Sequence, residues 1–116
     1  MHDFSGALAD FQTGFKSFCE NQPKTGSAFQ NLMGAAESEG ELSLKMKELI
    51  SLAISIAVRC EGCIAHHSKA VLDAGATRGE VTEMICVAIL MGGGPSAVYG
   101  SEALQAYDDW AAKKKG

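Results

Sequence analysis

Cys60 and Cys63 enclose Glu61 and Gly62, and His66 and His67 follow closely. At the start of a helix, Cys60, Cys63 and His67 stand at i, i+3 and i+7, a stripe two turns long. Unpaired N–H groups and a partial positive charge there favour thiolate over thiol. A thiolate at Cys63 can attack a peroxide oxygen or a disulfide sulfur, with Cys60 closing an intramolecular disulfide. His67, one turn beyond Cys63, can accept or relay the proton.

Two other readings use the same residues. Two thiolates and two imidazoles from Cys60, Cys63, His66 and His67 are the ligand types of a zinc-stabilised, non-enzymatic assembly protein. Against it, structural zinc ligands usually come as two separated pairs, and neighbouring histidines on a helix point about 100° apart. Alternatively the pair is buried and inert. Cys19 and Cys86 stand alone and read as packing residues, and His66 reads as a surface residue.

The elements that must position these groups are helical. Phe4, Leu8, Phe11, Phe15 and Phe18 repeat at three and four residues, one apolar stripe of a helix over 4–18 that Pro23 ends. A short helix to Ala36 turns Phe29, Leu32 and Met33 inward, and a polar linker over 37–41 follows. Ser43 caps a helix running from Leu44 to about Val58. The next spans Cys63 to Ala74 and ends at Gly75. Thr77 and Glu80 form a capping box for a helix to Met91, with Val81, Met84, Ile85, Ala88 and Ile89 inward. Gly92-Gly93-Gly94-Pro95 breaks the chain before a last helix to about Ala112.

Period-2 alternation is missing, so the expected fold class is all-α, about six helices in a single domain over 1–116. A chain of 116 residues that is 47% apolar can bury a core. The run from Leu49 to Val58 has almost no polar face, which calls for covering by a second copy in a homo-oligomer. Its ten residues fall far short of the roughly 20 that span a membrane. A net charge of -4, with no basic cluster before Lys113, argues against nucleic acid. Acidic residues and no long apolar run near Met1 point to a cytoplasmic location.

The segment Glu48-LISLAISIAVR-Cys60-EG-Cys63-IAH-His67, followed by Ala74-Gly75-Ala76 and Glu80, resembles the carboxymuconolactone decarboxylase superfamily, specifically its AhpD-like alkylhydroperoxidase branch. There a glutamate stands twelve positions before the first cysteine and a histidine four after the second. Glu48, Cys60, Cys63 and His67 meet those spacings, and the likeness covers residues 42–107. It implies an all-helical fold assembling as trimers or hexamers. It also implies Cys63 as the attacking thiol, Cys60 as the resolving thiol, and Glu48 with His67 as a proton relay. Hydroperoxide or disulfide would be the substrate and an external dithiol the electron donor, with no metal or flavin.

Gly62 departs from that pattern, which places a histidine immediately before the second cysteine. The decarboxylases of the superfamily generally lack the cysteine pair, so a cofactor-free decarboxylase is the alternative within it. On residues alone, Glu48 can instead pair with Lys45 or Lys47. Along one straight helix, twelve residues span about 18 Å, too far for Glu48 to touch Cys60. Either the chain folds back, a second subunit completes the site, or water bridges it.

Overall fold

The computed structural model describes residues 3–116, which form six helices and, among those residues, no strand. They are α1 (Phe4–Asn21), α2 (Pro23–Ala36), α3 (Leu44–Ala57), α4 (Glu61–Asp73), α5 (Arg78–Gly92) and α6 (Gly94–Lys115). The all-α expectation holds, with boundaries within a few residues of those read from the sequence. No helix among the described residues is long and apolar enough to cross a membrane.

Local chemistry sets most helix starts. Asp3 accepts the Gly6 N–H at 3.0 Å, Ser43 accepts that of Met46 at 3.1 Å, and Pro23 opens α2. The Thr77–Glu80 box is complete, with Thr77 N–H donating to Glu80 and Glu80 N–H to Thr77. α4 ends in a left-handed Gly75, φ +90°, whose N–H reaches the Leu72 carbonyl while that of Ala76 reaches Val71.

The same reversal ends α3, but with Arg59 at φ +58° in the place usually taken by glycine. Arg59 N–H donates to Ile56 and Cys60 N–H to Ser55. The chain therefore turns back within three residues, and α4 packs along α3. This supplies the fold-back that a straight-helix measure of Glu48 to Cys60 could not choose.

The core lies where α3, α4, α5 and α6 meet. Leu52, Ile56, Ile64, Val71 and Val81 are wholly buried there. Tyr107 fastens α6 by donating to the Ala76 carbonyl at 2.8 Å. Three of the five residues of the expected α1 stripe depart from this core: Phe4 and Leu8 are buried, but Phe11 and Phe18 are exposed and Phe15 half-buried. Beyond Leu8, α1 pairs with α2 instead, where Gly26 lies so close to Cys19 that a Cβ would meet its sulfur at 2.5 Å. Phe29 and Leu32 are accordingly exposed rather than inward.

Met46, Ile50 and Ile54 of α3 and its C-cap Val58 also lie exposed at four-residue intervals, and Val87, Leu90 and Met91 lie exposed on α5. Ile89 belongs with this exposed set rather than the expected inward stripe, and Cys86 is exposed rather than packed. A stripe of such residues is apolar surface that the single chain leaves uncovered.

A non-glycine residue in the left-handed region costs roughly 1 kcal/mol. Arg59→Gly is therefore expected to raise unfolding free energy by about that amount in a urea titration; a loss of stability would show that the Arg59 side chain stabilises the turn.

Candidate active site

Cys60 is the N-cap of α4, and its sulfur accepts the Cys63 N–H at 3.2 Å. The two cysteines are joined as a disulfide across Cα atoms 5.2 Å apart. The first turn of α4 thus holds the Cys60 sulfur against a backbone N–H, where negative charge on sulfur is stabilised. His67 stands one turn beyond Cys63 on the same helix.

Glu48 is buried, 4% exposed, and its Oε1 lies 2.7 Å from Nδ1 of His67. It pairs with neither lysine proposed for it: Lys45 binds Glu80, and Lys47 donates to the Ser38 carbonyl. It does not approach the sulfurs through α3. The α3–α4 reversal sets it beside His67 instead, so Glu48 meets the cysteine helix at an imidazole.

Burial pushes the Glu48 carboxyl above its usual range, opposed by the His66 charge and a hydrogen bond with Glu37. Burial pushes the His67 imidazole below its usual range, opposed by the Glu37 charge. His66 is lowered in the same way, by burial and then by the His67 charge. Burial thus shifts the Glu48 carboxyl up and the His67 imidazole down, each toward its neutral form.

Three features of this site went unread in the sequence. His66 is half-buried, and its ring meets that of His67 edge to face with centroids 4.7 Å apart. Glu37, placed in the linker, returns to the site: ligand atoms of Glu37, His66 and His67 lie within 4.8 Å of one another, a set able to receive a cation. The third is an apolar hollow of about 310 Å³ against Cys60, Cys63 and the two imidazoles, walled by phenylalanines of α1 and α2. Periodicity marks those rings as one face of a helix but does not say what they face.

Gly62 borders that hollow, and a Cβ there would meet nothing within 4 Å. A side chain at the departing position is sterically admissible.

An all-helical bundle that presents a CxxC disulfide at a helix start, backed by a histidine–carboxylate pair, defines a class. The profile of the carboxymuconolactone decarboxylase family matches residues 23–106, and the chain belongs to that family. A Haemophilus influenzae protein, uncharacterised, is 42% identical over 106 residues, 90% of this chain and 93% of its own. An uncharacterised Cupriavidus necator protein is 37% identical over 106 residues, 91% and 94% of the two chains. Among solved structures, the apo form of a family protein from Legionella pneumophila superposes with a TM-score of 0.90 at 39% identity, covering 92% of this chain and 96% of that one. A Thermotoga maritima family protein, described as having a possible part in antioxidative response, gives 0.83 at 24% identity, covering 93% and 92%.

The two opposed shifts have a measurable consequence. A carboxyl raised in the folded state loses its contribution to stability as pH rises from its ordinary 4.5 through the folded value. An imidazole lowered in the folded state loses stability as pH falls from its ordinary 6.5 toward the folded value. Between 4.5 and 6.5 the two slopes oppose each other. Glu48→Gln removes the compensating partner, so its stability is expected to fall more steeply than that of wild type between pH 6.5 and 5, measured by urea unfolding. Parallel pH profiles would contradict the raised Glu48 carboxyl.

Proposed function

We propose that this protein is a thiol-dependent peroxidase and disulfide reductase of the AhpD-like type. The observation that carries the reading is the Cys60–Cys63 disulfide at the start of α4, one turn from the His67–Glu48 pair. In the oxidative half, the Cys63 thiolate attacks the terminal oxygen of a hydroperoxide. The O–O bond breaks, the alcohol leaves with a proton relayed by His67, and Cys63 becomes a sulfenic acid. The Cys60 thiol then attacks that sulfur, the disulfide forms and water leaves.

In the reductive half, an external dithiol attacks Cys63, and Cys60 departs as thiolate toward the Cys63 N–H that already meets its sulfur. The donor's second thiol resolves the mixed disulfide, returning two thiols and releasing oxidised donor. Two electrons pass from donor to peroxide in each cycle. His67 takes the proton at the nitrogen not facing Glu48, and Glu48 steadies the charge that results. The antioxidative part suggested for the Thermotoga maritima protein agrees with this reading.

The exposed Met46–Ile50–Ile54–Val58 stripe on α3 and its counterpart on α5 are the surface for a homo-oligomer, a trimer or hexamer. Replacing Ile54 with Lys should lower the mass seen by light scattering; an unchanged mass would remove this face from the assembly.

Turnover of hydroperoxide with excess dithiol tests the central reading. Cys63→Ser should abolish it, and Cys60→Ser should stall with a sulfenic acid at Cys63 that dimedone traps. His67→Gln should lower kcat by roughly 10²-fold. Rates unaffected by Cys63→Ser would remove the thiol chemistry. Activity surviving in a double serine variant toward a small lactone acid would point to cofactor-free decarboxylation instead.

A further inference from the structure

The apolar hollow beside the disulfide brings two kinds of side chain together. Its volume is about 310 Å³, at the small end of ligand pockets. Its lining includes both cysteines and both imidazoles. It also includes Phe11 and Phe15 of α1 and Phe29 and Met33 of α2. Phe15 stacks on Phe11 with centroids 5.6 Å apart, and Phe29 meets Phe15 edge-on at 5.6 Å, so the rings brace one another. Yet Phe11 stays 47% exposed and Phe29 45%, apolar faces turned to a hollow rather than to the core.

A molecule that fills this space needs a polar, reactive end at Cys63 and His67 and a compact hydrocarbon end against the rings. Hydrogen peroxide has no hydrocarbon part and gains nothing from the wall. Phe11 and Phe15 lie on α1, outside residues 23–106 that match the family profile.

We propose that Phe11, Phe15 and Phe29 are specificity-determining residues that select substrates carrying an aryl or branched-alkyl group and set the reacting oxygen against Cys63. The proposal rests on the thiol-peroxidase reading of the cysteine pair. It adds no new step: the hydroperoxide is reduced to alcohol and water as the two thiols become the disulfide, and the wall holds the hydrocarbon of that hydroperoxide.

Two measurements test it together. The first is the ratio of kcat/KM for cumene hydroperoxide to that for hydrogen peroxide. Phe29→Ala and Phe11→Ala should each lower it by roughly tenfold or more, chiefly through KM for cumene hydroperoxide. Val98→Ala, exposed on α6 and no part of the hollow's lining, should leave the ratio where it was. The second is titration of oxidised protein with 2-phenyl-2-propanol, the unreactive alcohol product, followed by NMR. The His66 and His67 ring signals should shift and saturate in wild type and not in Phe29→Ala, with circular dichroism confirming that the variant folds.

An unchanged ratio, or an alcohol that moves neither histidine, overturns the aromatic wall even if both peroxides are consumed. Saturable, Phe29-dependent alcohol binding without turnover of either peroxide upholds the wall and overturns the peroxidase reading instead.

Discussion

A buried carboxylate that touches one imidazole governs how the rest of the chain must pack. Glu48 is almost wholly removed from water, and an unpaired charge there would cost several kcal/mol. His67 is the partner at 2.7 Å, which ties α3 to α4 at one register and no other. That register depends in turn on the reversal at Arg59 and Cys60. A turn one residue longer would rotate α4 by about 100° and carry His67 away from Glu48. The local strain of a left-handed arginine and the placement of the cysteines are thus one structural decision.

The same turn explains how one atom serves two purposes. Cys60 caps α4 through its sulfur, a position usually held by Ser, Thr, Asp or Asn. A sulfur that caps a helix is also a sulfur whose negative charge is stabilised, so the group that starts the helix is suited to leave from a disulfide. In the oxidised state the cap contact and the disulfide coexist within a single turn.

Much of this was legible beforehand. Ser43, the Thr77–Glu80 box and Gly75 mark helix ends because each answers unpaired backbone groups, Pro95 because it lacks the N–H that would go unpaired there, and those boundaries hold to within a few residues. The Cys60, Cys63 and His67 stripe follows from helical spacing alone. Arg59 was not legible, because only glycine advertises a left-handed turn. Glu37 lies in a polar linker whose path back to the imidazoles depends on tertiary packing. His66 reads as a surface residue by default, whereas its half-buried ring meets that of His67 edge to face. The phenylalanine stripe of α1 is a true helix face, but an apolar face facing a hollow and one facing a core have the same periodicity.

The chemistry assigned to this fold requires two sulfurs that part and rejoin as electrons arrive and leave. The most direct measurement is intact-mass and peptide mass spectrometry of fully reduced protein after one equivalent of cumene hydroperoxide. The expected product is a chain lighter by two hydrogens, with the link mapped to Cys60 and Cys63 and reversed by dithiol. A protein that instead gains oxygen irreversibly at Cys63, or remains a dithiol while peroxide persists, would contradict it.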